Sequence, residues 1–133
     1  MPDIPTICCY CGCGCGLYLQ VENGRVIGSS PSRNHPVSRN NLCVKGWNAH
    51  QFIHSADRLT RPLVRHNGRL HTASWDDALD LVAEKFDSIK KQYCPDQLGV
   101  LASAKCTNEE NYLLQKFTRA VLGTNNIDHC ARL

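Results

Sequence analysis

Five cysteines fall within eight consecutive positions near the start of the chain, in the segment Cys-Cys-Tyr-Cys-Gly-Cys-Gly-Cys that covers residues 8–15. Three of them, Cys8, Cys11 and Cys15, follow a C-x2-C-x3-C spacing, and Cys43 comes after 27 further residues. Three thiolates on one compact loop and a fourth from a distant segment can each bind one iron of a cubane cluster. The spacing therefore favours a [4Fe-4S] site on these four residues.

A structural zinc site is the first alternative for the same cysteines. Zinc modules are usually built from two paired knuckles, each with two cysteines or two histidines. Cys43 has no neighbouring cysteine, and the histidines closest to it are His35 and His50, so the second knuckle is missing. Using Cys9 and Cys13 as ligands would give C-x-C steps that strain a loop around a cube, and we predict that they are not ligands.

Composition limits the remaining possibilities. The chain has nine cysteines in 133 residues, an odd number, and no export signal, which argues against a secreted disulfide scaffold. Cys94, Cys106 and Cys130 lie in separate predicted elements and are interpreted as small buried hydrophobic residues. The net charge of +3 is spread along the chain, and no segment approaches the ~20 apolar residues of a membrane helix. We expect a cytoplasmic protein with no nucleic-acid partner and no membrane span.

The elements around the cysteines can be predicted from turn signals. Two short apolar runs, 17–21 and 25–28, flank Asn23-Gly24 and predict a β-hairpin with a type I′ turn. Residues 28–41 are rich in Ser, Pro and Asn and predict a loop that returns Cys43 to the hairpin. A short helix is predicted over 47–54, where His50 and His54 are interpreted as surface residues.

The second half of the chain alternates between strand and helix signals. A second Asn-Gly hairpin is predicted over 62–72, and a capped amphipathic helix follows over 75–92, stopped by Cys94-Pro95. A short apolar strand is predicted at 98–102, and a second helix is capped by 107–110 and ends near Gly123.

This helix, strand, helix order predicts an α/β layer, with the apolar stripes that begin at Trp75 and Leu113 assigned to its core. We see no later strand to pair with 98–102, so we expect an open apolar face and a sequence that is the front of a longer protein. The predicted fold class is α+β to α/β. It comprises a small β-rich cluster domain over 1–56, followed by the beginning of an incomplete α/β domain over 57–133.

Four segments follow the cysteine-rich loop and can be compared with known families together with its cysteine spacing. They are Cys43-Val-Lys-Gly46, Ser74-Trp-Asp-x-Ala-Leu79, Thr107-Asn-Glu-Glu-Asn-Tyr112 and Gly123–Arg132. Together with the cysteine pattern they resemble the N-terminal portion of the catalytic subunit of molybdenum- or tungsten-dependent formate dehydrogenases, which belong to the bis(molybdopterin guanine dinucleotide) oxidoreductases. The cysteine spacing and the Trp-Asp helix are shared across that superfamily, whereas Asn-Asn-Ile-Asp-x-Cys-Ala-Arg favours formate dehydrogenase over nitrate reductase.

The resemblance implies a mechanism and several site residues. Formate would be oxidised to carbon dioxide, or carbon dioxide reduced, at a Mo- or W-bis(molybdopterin guanine dinucleotide) bound by the complete subunit. Electrons would leave one at a time through a pterin to the [4Fe-4S] cluster. Lys45 matches the family's lysine between cluster and pterin, where it would bind the cofactor and relay electrons. Lys105 is a candidate for an anionic pterin phosphate, with an ordinary loop lysine as the alternative; the role of His129 is open.

The resemblance also implies partners and a missing ligand. The expected partners are the remainder of the same subunit and iron-sulfur electron-transfer subunits, with a ferredoxin, an NAD-linked subunit or a hydrogenase module as the electron partner. In that family a selenocysteine or cysteine that binds Mo or W follows Cys-Ala-Arg-(Val/Leu). We therefore predict selenocysteine directly after Leu133, at an in-frame UGA codon read as a stop. A self-standing iron-sulfur electron carrier and another oxidoreductase of the superfamily, such as nitrate reductase, stay open.

Overall fold

The computed structural model describes residues 3–130, which form two compact units. The first, called the cysteine unit here, contains the described parts of Met1–Arg58, Ala102–Leu114 and His129–Leu133; the second, the helical unit, contains Leu59–Leu101 and Gln115–Asp128. Part of the chain that follows the predicted boundary at residue 57 thus belongs to the cysteine unit. The division into domains 1–56 and 57–133 stays a prediction.

An antiparallel three-stranded sheet supports the cysteine unit, with strands β1 (Asp3–Ile7), β2 (Gly16–Glu22) and β3 (Arg25–Pro31) in that order. The predicted hairpin is confirmed: Asn23 and Gly24 both have positive φ, 48° and 76°, as a type I′ turn requires. Strand β1 was not predicted. Its proline, Pro5, lowers strand propensity, but an edge strand tolerates a residue that lacks an N–H donor.

A single helical turn, α1 (Val44–Trp47), follows Cys43. The predicted helix over 47–54 is therefore wrong in position, since the helix begins earlier and residues 48–54 form turns. The side chain of Asn48 explains the early end: its Nδ2 donates to the carbonyl of Val44 at 2.7 Å, an alternative to continued helical bonding.

The helical unit begins with a second hairpin, β4 (Leu63–His66) and β5 (Arg69–Thr72), as predicted. The predicted long helix is confirmed as α2 (Trp75–Gln92), whose N-cap Ser74 accepts a hydrogen bond from the backbone N–H of Asp77 at 3.0 Å. A 3-10 turn, Pro95–Gln97, follows the helix where Cys94-Pro95 predicted its end.

The last elements are β6 (Val100–Ala102), α3 (Asn108–Phe117) and β7 (Ile127–His129). A π-helical turn, Thr118–Leu122, continues α3, and Gly123 ends it with a φ of 81°, as predicted. The expectation that no later strand exists is wrong, because β7 pairs with β6. Its three residues were too short to give an alternating pattern.

Burial differs from the prediction in the helices. Trp75, Leu79 and Leu113 are 65%, 58% and 60% exposed, and neither α2 nor α3 has a fully buried residue in the described structure. The assignment of both stripes to a core is therefore wrong for these residues, and the expected open apolar face is confirmed. An apolar side chain of strand β6 is exposed as well, since Leu101 is 89% exposed.

Candidate metal centre

The cysteine-rich loop connects β1 to β2, and the sheet closes its base. Ile7 pairs with Gly16 in the strand register, and the N–H of Cys8 donates to the carbonyl of Cys15 at 2.8 Å. Gly14 adopts a φ of 63°, a left-handed conformation that lets the loop turn back on itself. The first and third predicted ligands thus stand side by side at the base of the loop.

Cys43 is brought to the site by α1, which the sheet holds in place. Cys43 is the N-cap of this turn. The buried side chain of Ser29 on β3 contacts the backbone of α1. Ser29 Oγ lies 2.9 Å from the carbonyl oxygen of Gly46 and 2.8 Å from that of Trp47. Strand β3 therefore fixes the segment that carries the fourth predicted ligand.

The thiols of the four predicted ligands interact electrostatically. Burial raises the pKa of Cys8 and of Cys15, and neighbouring thiolates raise each pKa further: those of Cys9, Cys11 and Cys43 act on Cys8, and those of Cys13, Cys8, Cys11 and Cys43 act on Cys15. The thiols of Cys8, Cys11, Cys15 and Cys43 thus lie close enough to interact, as do those of Cys9 and Cys13, so these interactions do not by themselves separate ligands from non-ligands. Their mutual repulsion is of the kind that bound iron cations would relieve.

Cys43 is the exception among these thiols. The backbone N–H groups of Gly46 and Lys45 lower the pKa of Cys43, and the ammonium of Lys45 lowers it further. These groups stabilise a thiolate, which is the form that binds metal. The start of α1 therefore favours the thiolate form of Cys43.

The donor set fits a cluster with one thiolate per iron. All nine cysteines are free thiols, so the four predicted ligands are available. Within residues 3–130, no three His, Cys, Asp or Glu side chains are grouped to hold one metal ion. A cubane binds each thiolate at a separate corner and does not require such convergence. Cys9 and Cys13 are exposed, and their assignment as non-ligands stays a prediction.

Lys45 and Lys105, the two lysines singled out from the sequence, line the same open cavity of about 600 Å³ in the cysteine unit. The Nζ atom of Lys45 is buried and has no hydrogen-bond partner among the described residues. A buried ammonium without an acceptor is unfavourable, so the site fits an anionic or acceptor group. Tyr10, inside the cysteine loop, and Phe52 also line the cavity and pack edge to face at 6.0 Å; sequence reasoning missed both.

The remaining cysteines do not behave as predicted. Cys94 and Cys130 are exposed and Cys106 is half-buried, so the interpretation as buried hydrophobic residues is wrong for the first two. Hydrogen bonds from Ser103 Oγ and the N–H of Ala104 lower the pKa of Cys130.

The histidines have structural contacts of their own. His54 Nε2 accepts from the N–H of Val26 at 2.9 Å, and His50 Nδ1 lies 3.4 Å from Ser29 Oγ. That His50 and His54 are not a metal pair stays a prediction, and His50 is half-buried rather than a surface residue. The buried Nδ1 of His35 has no partner among residues 3–130.

Two family models match the chain in succession. The model described as the Molybdopterin oxidoreductase Fe4S4 domain matches residues 1–55, and the Molybdopterin oxidoreductase model matches residues 58–133. The chain belongs to the molybdopterin oxidoreductase family. The predicted fold, an Fe4S4 domain followed by the start of a molybdopterin oxidoreductase domain, is confirmed, and with it the cofactor classes of a [4Fe-4S] cluster and a molybdopterin.

Individual relatives agree with this family. The chain is 51% identical over 130 residues to a Methanococcus maripaludis protein named F420-dependent formate dehydrogenase 1 subunit alpha. It is 52% identical to the Methanocaldococcus jannaschii F420-dependent formate dehydrogenase subunit alpha. Each match covers 98% of this chain but only 19% of the relative, so the chain spans about a fifth of their length.

A solved structure extends the likeness beyond formate dehydrogenases. Acetylene hydratase from Pelobacter acetylenicus matches with a TM-score of 0.74 and 30% identity, over 94% of this chain and 18% of that one. The fold of this region is therefore shared with an enzyme that is named for a hydration. Within residues 3–130, none of the helices has the length and apolar character needed to span a membrane.

Proposed function

We propose that this chain is part of the catalytic subunit of a formate dehydrogenase and binds a [4Fe-4S] cluster through Cys8, Cys11, Cys15 and Cys43. The observation that carries the proposal is the 51–52% identity to formate dehydrogenase alpha subunits over 98% of the chain. The fold by itself is not decisive, because acetylene hydratase shares it at 30% identity.

The chain's own cysteines provide the ligands for single-electron transfer. When bound, the molybdopterin with its Mo or W supplies the two-electron oxidation of formate to carbon dioxide or its reverse, and the cluster carries single electrons onward. Cys43 offers a thiolate stabilised by two backbone N–H groups. Cys8 and Cys15, whose pKa values are raised, lose their protons on binding iron, so the loaded site is favoured by higher pH.

Lys45 is proposed to lie between the cluster and the pterin as an electron relay and cofactor-binding residue. Its buried Nζ without a described partner supports this role, as does its electrostatic effect on Cys43. Lys105 lines the same cavity and is proposed to bind an anionic part of the pterin cofactor. Two ammonium groups at one cavity suit an anionic ligand.

Electron partners and the metal ligand of the complete subunit are further proposals. The Methanococcus maripaludis and Methanocaldococcus jannaschii relatives are named F420-dependent, which favours an F420-linked acceptor beside the ferredoxin, NAD-linked and hydrogenase alternatives. Selenocysteine after Leu133 stays a prediction. Sequencing the codon after Leu133 and the frame beyond it tests that prediction directly.

The proposed activity is tested on the native protein, purified without oxygen. We expect formate-dependent reduction of a viologen dye, with molybdenum or tungsten and iron in the preparation. Reduced viologen oxidised by nitrate, with no response to formate, would identify a nitrate reductase instead. Iron without Mo or W would identify a self-standing electron carrier, and zinc in place of iron would identify a structural zinc module.

A further inference from the structure

Helix α3 contacts the cysteine-rich loop through its first residue. Asn108 Nδ2 donates a hydrogen bond of 2.8 Å to the carbonyl oxygen of Gly12, which lies 96 positions earlier in the chain. Both residues belong to the cysteine unit. Gly12 directly follows Cys11, so this bond fixes the backbone next to a predicted cluster ligand.

The contact with Asn108 leaves no room for a side chain at position 12. A Cβ atom at position 12 would lie 2.5 Å from Asn108 Oδ1, closer than real Cβ contacts allow. Gly12 is not among the glycines of positive φ, so alanine would meet no backbone strain there. The missing side chain thus serves the approach of Asn108 rather than a turn conformation.

Asn108 is held in place by its neighbours on α3. The N–H of Thr107 donates to Glu110 Oε2 at 2.6 Å, and the N–H of Glu110 donates to Thr107 Oγ1 at 3.2 Å, a reciprocal capping box. Asn111 Nδ2 lies 3.1 Å from the carbonyl oxygens of both Ser103 and Thr107. The helix start therefore presents the Asn108 amide from a fixed frame.

We propose that Asn108 is a positioning residue for the [4Fe-4S] cluster. By holding the carbonyl of Gly12, it keeps the thiolate of Cys11 at the spacing that the cluster requires. The bond links two family regions, because Gly12 lies in the segment that matches the Fe4S4 domain and Asn108 in the segment that matches the molybdopterin oxidoreductase model. The inference rests on the proposed cluster ligation by Cys11.

The first test compares Asn108→Asp with the unchanged native protein. Aspartate has the same shape and suits the first turn of a helix, but its carboxylate cannot donate to Gly12. We expect iron to leave the variant about two- to tenfold faster in the presence of a chelator, the factor that one hydrogen bond represents. The electron paramagnetic resonance signal of the reduced cluster should also change, which a general loss of stability would not cause. Glu109→Gln, an exposed change in the same turn, is the matched control and should alter neither.

The second test uses the crowding between the two residues. Gly12→Ala should speed iron loss strongly when Asn108 is present, and less when it is introduced into Asn108→Ala, because the alanine leaves room for the added Cβ. Equal effects in both backgrounds would overturn the inference, as would unchanged iron release and spectrum in Asn108→Asp. If Asn108→Asp fails to fold, this second test still decides whether Asn108 positions the cluster.

The failure of the proposed function looks different. If the unchanged native protein holds no iron-sulfur cluster, or keeps it when Cys11 is replaced by serine, the proposed ligation is wrong and Asn108 has no cluster to position. If that cluster is present and lost in Cys11→Ser while the Asn108 and Gly12 variants behave like the controls, only the role of Asn108 is wrong.

Discussion

The interactions that stabilise the cysteine unit differ from those that stabilise the helical unit. In the cysteine unit, short strands, one helical turn and the start of α3 are joined by polar side chains that bond to distant backbone, as Ser29 does to α1 and Asn108 to Gly12. In the helical unit, an 18-residue helix forms from local signals, yet the apolar side chains of Trp75 and Leu79 are largely exposed. The first unit contains the four proposed cluster ligands, and the second presents an open apolar surface.

This difference shows which contacts each unit depends on. The apolar core of the cysteine unit centres on three buried residues, Cys8, Leu17 and Ala49. So small a core contributes little by itself, and small domains of this kind commonly gain stability from a metal site. We therefore expect the cysteine unit to respond most to changes at its cysteines, and the helical unit most to changes in what covers it.

The largest effect should come from a ligand change in the cysteine unit. Cys11→Ser removes one of four predicted thiolates, and we expect loss of the reduced [4Fe-4S] signal and of most of the bound iron of this site. Iron analysis and electron paramagnetic resonance of the native protein measure it. Cys13→Ser, two positions along and exposed, should keep both. Loss of the cluster in Cys13→Ser with retention in Cys11→Ser would reverse the ligand assignment.

A core change tests the second part of the contrast. Leu17 is 1% exposed and Leu101 is 89% exposed. In the 133-residue chain reconstituted with iron and sulfide, Leu17→Ala should lower the free energy of unfolding by about 2–4 kcal/mol. Leu101→Ala should change it by less than about 0.5 kcal/mol. Chemical denaturation measures both values, and a similar loss for the two variants would contradict the burial of the structure.

Local signals predicted the elements whose causes lie within a few residues. Both Asn-Gly hairpins and the capped helix that begins after Ser74 follow from turn geometry and capping, which adjacent residues determine. The cysteine spacing likewise indicated a four-thiolate site. By contrast, β7 exists through its pairing with β6, and the contact of Asn108 with Gly12 spans 96 positions. Such contacts leave no periodic pattern in one sequence.

The position of α1 shows the same limit on a smaller scale. A helix over 47–54 agrees with residue preferences, but Asn48 bonds back to Val44 and ends the turn near Trp47. The apolar stripe that begins at Trp75 was wrongly assigned to a core for a different reason. The periodicity correctly identified an apolar face, but periodicity does not say whether any other part of the described chain covers that face.

A charge change at Lys45, which lines the cavity of the cysteine unit, tests whether its ammonium acts on the proposed cluster. Lys45→Met removes a buried cation near Cys43, so the oxidised cluster becomes relatively more stable and the midpoint potential should fall by tens of millivolts, an order of magnitude from Coulomb's law. Redox titration followed by electron paramagnetic resonance measures the shift. Lys45→Arg keeps the charge and should move the potential less. An unchanged potential in Lys45→Met would place the ammonium too far from the cluster for the proposed relay.

The smallest effect concerns the frame that presents Asn108. Hydrogen bonds from the N–H and the hydroxyl of Thr107 lower the pKa of Glu110, so its carboxylate stabilises the start of α3. This contribution is present above the ordinary carboxyl pKa and is lost as pH falls through the lowered pKa. In a synthetic peptide of residues 105–120, Thr107→Ala should cost about 0.5–1 kcal/mol of helix stability. Circular dichroism measures it, with Thr107→Ser as the control that keeps the hydroxyl.

The pH dependence of helicity in the same peptide distinguishes the capping box of Thr107 and Glu110 from general helix propensity. On acidification from pH 7 to pH 3, helicity should fall more in the unchanged peptide than in Glu110→Gln, because the glutamine side chain has no proton to gain in that range. Glu109 is present in both peptides, so the difference between them reports Glu110 alone. Equal losses in the two peptides would mean that the box does not form locally, and that Asn108 depends on the folded cysteine unit for its position.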